Sequence, residues 1–87
     1  MLLAFGERLH NPWITEATLG KLYRLSRTQG EIAIAIFNGQ SPEDIATERG
    51  IKVSTVRTHL ANVFLRTRSR TQRELIRLIA SLPPLVR

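Results

Sequence analysis

The segment GIKVSTVRTHLANVFLRTRSRT, residues 50–71, holds five of the chain's thirteen Lys and Arg residues and no Asp or Glu. On a helical wheel turning about 100° per residue, Ser54, Thr58, Ala61 and Asn62 share one face, opposite an apolar stripe of Val56, Leu60, Val63 and Phe64. Arg57 and His59 flank that stripe on opposite edges. The chemistry open to such a face is hydrogen bonding to planar groups. The Arg57 fork can donate two bonds to guanine O6 and N7, Asn62 can pair with adenine, and Thr58 or Ala61 can meet a thymine methyl. Lys52 ahead of the stripe, with Arg66, Arg68 and Arg70 behind it, would meet phosphates and fix register without reading sequence. Ser54 and His59 are further phosphate candidates, although a histidine beside a core stripe reads first as packed and hydrogen-bonded. A helix face built only for solubility would carry paired Glu and Lys.

A rigid scaffold must present that face, and the punctuation of the sequence supplies one. Thr15 can cap a short helix from Glu16 to Leu25 with Leu19, Leu22 and Tyr23 along one side, although Gly20 weakens it. Ser26 caps a helix that runs to about Asn38 and stops at Gly39; its centre is apolar nearly all round, as in a buried helix. In SPEDIATERG, Ser41 is an N-cap, Pro42 takes the first helical position, Glu43 and Asp44 complement the helix dipole, and Gly50 stops the helix. Val53, Val56, Leu60, Val63 and Phe64 then give a helix from about Val53 to Thr67. SRTQ, residues 69–72, reads as a capping box for a last helix with Leu75, Leu78, Ile79 and Leu82 inside, ended by Pro83 and Pro84. The loop HNPWI, residues 10–14, precedes all of these, and Trp13 would staple the N-terminal segment to the core. The period never settles at two, so the fold class is all-α.

Two short helices joined by a tight turn containing glycine make a helix-turn-helix, whose second helix enters the DNA major groove. Charge supports that assignment. Net charge is +6, and from Arg49 to Arg77 eight basic residues face a single acid, Glu74. Such a balance favours a polyanionic partner, nucleic acid before an anionic membrane. Residues 31 to 48 hold four acids and no base; among them Glu31, on the buried helix, is suited to pair with a half-buried base and fix helix packing.

Other classes fare worse. Without cysteine there is neither a disulfide framework nor a thiolate zinc site, and His10 and His59 lie far apart, so no metal or cofactor is expected. No nucleophile triad, carboxylate pair in a pocket or glycine-rich phosphate loop can be assembled, so an enzyme is not expected. The longest apolar run, Ile32 to Phe37, is too short to span a bilayer, and MLLAF lacks the basic flank of a signal peptide, so the expected location is cytoplasmic.

From Leu25 to about Ile79 the chain resembles the LuxR/GerE-type helix-turn-helix domain, the C-terminal output module of many bacterial transcription factors. The resemblance rests on Leu25 and Ser26 leading to Glu31, then Gly39, Ser41, Ile45-Ala46, Gly50-Ile51 and Thr55-Val56-Arg57-Thr58-His59, in order and at the family's spacing. It implies a four-helix domain over residues 25–82 preceded by a short extension with its own helix, residues 1–24, similar to the connector that follows a sensor domain, with residues 83–87 as a tail. It also implies a scaffold helix Pro42–Arg49, a recognition helix Val53–Thr67, base-facing Arg57, Thr58 and Ala61, a phosphate contact at Thr55, and homodimers joined through the last helix on two-fold DNA sites. Three positions depart from the family's pattern. Lys52 replaces the usual serine cap, leaving Ser54 as the nearest side-chain cap; Arg68 replaces a glycine, so it must turn left-handed or end the helix differently; Ser69 replaces a small apolar residue.

Leu65 falls near the outer face, and with Ile76 and Ala80 it would form a dimer seam. The principal alternative function is a protein-interaction module that binds an acidic regulatory or polymerase partner and has little DNA affinity. Such a surface needs exposed apolar anchors, and only Leu65 qualifies. A promoter-contacting region of a sigma factor shares the motif, and RNA polymerase or an upstream sensor domain are further possible partners. Membrane binding by the last helix is the weakest alternative, since its apolar residues serve better as core.

Overall fold

Side-chain caps start four of the five helices in the computed structural model, which describes residues 14–82. The helices are α1 (Glu16–Tyr23), α2 (Arg27–Phe37), α3 (Pro42–Arg49), α4 (Val53–Thr67) and α5 (Gln72–Ser81), and no strand occurs among the described residues. Four of them follow residue 24, and α1 is the fifth. The loop over residues 10–13, the Trp13 staple and the Pro83–Pro84 stop lie outside the described residues.

Local chemistry accounts for the boundaries. Ser26 and Gln29 form a reciprocal capping box at 3.1 Å in both directions, so two otherwise unpaired N–H groups at the start of α2 are satisfied together. Ser41 and Asp44 do the same for α3, with Pro42 at its first turn. Gly50 closes α3 at φ 69°, a left-handed conformation that needs no Cβ, and there the chain turns into α4.

The end of α1 and the start of α5 differ from the sequence reading, while α4 spans Val53–Thr67 as read and differs only in not using Ser54 as its cap. Helix α1 ends at Tyr23 and not at Leu25, because Arg24 turns left-handed at φ 58° and redirects Leu25 into the core. Helix α4 begins at Val53 with Lys52 as its cap and no side-chain cap bond; Ser54 is already inside the helix, and the Lys52 carbonyl accepts from the N–H groups of Thr55 and Val56. The expected capping box between Ser69 and Gln72 is not formed. Thr71 caps α5 by accepting from the Glu74 N–H at 3.1 Å, and the Glu74 carboxylate accepts from the Arg70 N–H at 2.7 Å. Two overlapping cap signatures compete here, and the one with an acid at its third helical position prevails.

Helix α2 lies at the centre, packed against α1, α4 and α5 and more lightly against α3, while α3 rests mainly on α4. Ile32, Ala33, Ile36 and Phe37 of α2 meet Leu19, Leu25, Ile45, Val56, Leu60, Val63, Leu75 and Ile79 in one core. Burial of side chains such as Val56, Leu60 and Val63 stabilises the fold by about 1.5–3 kcal/mol each, and that anchoring aims the opposite face of α4 outward. Two expected core residues are displaced. Leu22 is 42% exposed. Leu78 is half-buried and does not join the core, where Ile76 packs in its place. The apolar stripe of α5 is thus rotated from the sequence expectation.

At one crossing the backbones nearly touch. A Cβ on Gly30 of α2 would stand 3.0 Å from both the Cβ and the carbonyl oxygen of Glu16, so glycine allows α1 to lie close against α2. Glu31, beside it, accepts from Arg27 at 3.1 Å and from Arg49 at 3.0 Å, tying the middle of α2 to the end of α3. The half-buried base expected for Glu31 is therefore Arg49, whose side chain is 34% exposed.

Candidate nucleic-acid interface

Helix α4 carries its polar face on the side opposite Val56, Leu60 and Val63, which are buried. Ser54, Thr55, Arg57, Thr58, Ala61 and Asn62 are all exposed, and no acid occurs in the helix. In free protein, two of these polar groups turn back on their own helix. Thr58 Oγ1 donates to the Ser54 carbonyl at 3.1 Å, which leaves its lone pairs and methyl facing out. Asn62 Nδ2 donates to the Thr58 carbonyl over a long 3.4 Å, a contact readily exchanged for a better acceptor.

Arg57 is the exception among the cations near this face. Its Nη2 donates to Glu43 Oε2 at 2.6 Å, reaching from the second turn of α4 to the first turn of α3. Lys52, Arg66, Arg68 and Arg70 have no carboxylate partner among the described residues. Arg66 instead donates to the Arg24 carbonyl at 3.4 Å, so it leans toward the end of α1. Arg68 adopts the left-handed conformation at φ 60°, the first of the two options its position left open. That turn brings the Ser69 N–H onto the Phe64 carbonyl at 3.0 Å, and the buried Thr67 hydroxyl donates to the Val63 carbonyl at 2.8 Å.

His59 is half-buried and its ring makes no hydrogen bond within the described residues, which corrects the expectation of a hydrogen-bonded core histidine. Leu65 is 75% exposed and borders a shallow groove with Ala61, Phe64, Arg68, Ser69 and Arg70. Of the three residues read as a seam, Leu65 and Ala80 are exposed, whereas Ile76 is half-buried against the core.

The partner that sequence reasoning missed is Glu43. It was legible only as an acid favourable to the helix dipole. Its pairing spans fourteen residues and depends on how α3 crosses α4, for which the sole sequence signal was an acidic scaffold helix, with Glu43, Asp44 and Glu48, beside an acid-free neighbour.

A short scaffold helix, a tight turn and a longer helix that shows a polar, acid-free face define a helix-turn-helix nucleic-acid-binding domain. A family model described as GerE, bacterial regulatory proteins of the luxR family, matches residues 23–79, well over half of the chain. The chain belongs to this family, a non-enzymatic one, and membership implies DNA binding by a bacterial transcriptional regulator. Helix α1 lies almost wholly before the matched span. Neither a search of curated proteins nor one of solved structures gave a match. Among the described residues no helix is long and apolar enough to cross a membrane, and no His, Cys, Asp and Glu cluster could hold a metal ion.

Proposed function

We propose that the protein binds double-stranded DNA in a sequence-specific manner, with α4 in the major groove, and regulates transcription as a cytoplasmic homodimer. Arg57, Thr58, Ala61 and Asn62 read base edges. Lys52, Ser54, Thr55, His59, Arg66, Arg68 and Arg70 hold phosphates on either side. Leu65 and Ala80, with the outer edge of Ile76, form the contact between subunits. The observation that carries this reading is the exposed face of α4, free of acid and bracketed by cations that have no carboxylate partner among the described residues. A neutral reading face can approach the duplex closely while the flanking charges supply affinity.

Selection of bound sequences from a random duplex pool tests it. Recovery of an inverted repeat with half-sites about one helical turn apart is the expected outcome. If about four to six phosphates are neutralised per subunit, log K falls against log salt with a slope of roughly −4 to −5. A flat salt dependence, or a pool without a motif, overturns the proposal.

One observation favours a second reading, a module for an acidic regulatory or polymerase partner. Leu65 is an exposed aliphatic anchor set among arginines, as an acidic peptide with an apolar side chain would require. Unimpaired DNA binding by Leu65→Ser, as a dimer, would leave the protein-partner reading as the remaining role for that residue.

A further inference from the structure

Four cations surround the outer face of α4 without a carboxylate partner among the described residues, while the one placed to read a base is held by an acid. Arg57 Nη2 lies 2.6 Å from Glu43 Oε2, and both side chains are more than half exposed, at 57% and 63%. An ion pair this open adds little to stability, since solvent screens it and both side chains lose freedom. Its geometry has consequences elsewhere. A guanidinium presents five donors in a planar fork, and a carboxylate on one Nη2 hydrogen leaves the other Nη2 hydrogen, with Nε or Nη1 beside it, free to donate as a pair. The long Arg57 side chain is fixed at its far end before any ligand arrives, and the ordering entropy of the contact is reduced.

From this geometry, and resting on the proposal that α4 reads bases, we infer that Glu43 is a specificity-determining residue. It positions Arg57 toward a base edge and withholds it from phosphates. The two effects have the same origin. A free arginine on a groove-facing helix binds any duplex through the nearest phosphate, which raises affinity for all sequences alike. A phosphate on the free edge would stand beside the Glu43 carboxylate and be repelled by it, whereas a guanine that offers neutral O6 and N7 can be met while Glu43 stays bound. The Glu43 charge, carried on the first turn of α3, also opposes registers that bring a phosphate against it. Discrimination thus comes from a penalty on wrong complexes as much as from a bond in the right one. Along α4 the neighbours Ser54, Thr58 and Ala61 are uncharged, and the other two acids of α3 are engaged elsewhere, Asp44 in the capping box with Ser41 and Glu48 on the Gln40 amide at 2.8 Å.

The test compares wild type, Glu43→Gln, Glu43→Asp, Arg57→Ala and the double variant Glu43→Gln/Arg57→Ala. Each is used to select from a random duplex pool, then titrated on the wild-type site and on a scrambled duplex at several salt concentrations. The base position lost in Arg57→Ala assigns the arginine's contact. At that position Glu43→Gln is expected to lower the guanine preference about fivefold to tenfold, while the scrambled duplex binds more tightly with a salt slope steeper by about one. Glu43→Asp keeps the charge and shortens the reach, so it loses the preference without the steeper slope. In the Arg57→Ala background, Glu43→Gln changes no base preference. Unaltered preferences in Glu43→Gln and Glu43→Asp, or equal effects of Glu43→Gln with and without Arg57, overturn the inference while base reading stands. A wild-type pool without any motif removes both.

Discussion

Glu31 and Arg49 join the middle of α2 to the end of the scaffold helix: Glu31 Oε1 accepts from Arg49 Nη2 at 3.0 Å, and the other carboxylate oxygen accepts from Arg27 at 3.1 Å. The bond bridges α2 and α3, and α3 in turn packs on α4. The Arg49 and then the Arg27 hydrogen bonds hold the Glu31 carboxyl below its ordinary value of 4.5, against a smaller opposing effect of burial. A carboxyl whose folded pKa is depressed contributes stability that is present above its unfolded value and is lost as pH falls through its folded value. The wild-type protein is therefore expected to lose this contribution only below about pH 4.5. Glu31→Gln should lie below wild type in melting temperature at neutral pH, with the gap closing as pH falls through that acid range. A gap that stays constant with pH would mean that the pair contributes through packing alone.

The close approach of α1 to α2 at Gly30 predicts a loss of stability where helix propensity alone predicts a gain. Alanine in a helix interior is favoured over glycine by about 0.8–1 kcal/mol. At Gly30 its methyl would meet the Glu16 backbone carbonyl at 3.0 Å, and a carbonyl in a packed helix cannot rotate away as a flexible side-chain end can. Displacement of α1 would also disturb the buried Leu19. Overpacking of this kind costs about 1–3 kcal/mol, so Gly30→Ala should lower the urea midpoint despite its propensity. A raised midpoint would show that α1 shifts at no cost.

The helix order and most starts were legible because caps are local: Ser26, Ser41, Pro42 and Gly50 each act within four residues of themselves. The α4 stripe was legible for a similar reason, since a 3.6-residue period records which side is buried. What escaped depended on partners distant in sequence. Leu22 and Leu78 fit an apolar period yet lie outside the core, because the rotation of α1 and α5 is fixed by α2 and not by their own sequences. Thr71 and Ser69 both carry cap chemistry, and only the fold decides between them. The polar face of α4 was predicted residue by residue, but the Glu43 carboxylate on Arg57 depends on the crossing of two helices.

Arg57 and Arg70 should separate under substitution. Arg57→Ala is expected to cost about 1–3 kcal/mol on the preferred site and to relax preference at one base position, as loss of a bidentate base contact does. Arg70 is exposed at the turn before α5, and its side chain has no acid partner among the described residues. Arg70→Ala should weaken selected and scrambled duplexes alike and reduce the magnitude of the salt slope by about one. Competition binding on the two duplexes over a salt series reads both effects. Equal, sequence-independent losses for the two variants would contradict the division between base readers and phosphate clamps.

At Arg68 the proposed DNA contact opposes stability. This residue ends α4 at φ 60°, a conformation that costs a residue with a Cβ roughly 1–2 kcal/mol relative to glycine. Strain of this kind persists where the residue serves another purpose. Arg68→Gly should therefore raise the melting temperature, because the Ser69 N–H to Phe64 carbonyl bond that closes the helix is a backbone contact and survives the change. On the proposed reading, in which Arg68 faces a phosphate and not a base, the substitution should also weaken every duplex by a similar factor and flatten the salt slope by about one. Arg68→Lys separates the two effects: the strain and the charge both remain, so stability and salt slope should stay near wild type. If Arg68→Gly becomes more stable and binds DNA as tightly as before, Arg68 is not a phosphate contact, and the clamp reduces to Lys52, Arg66 and Arg70.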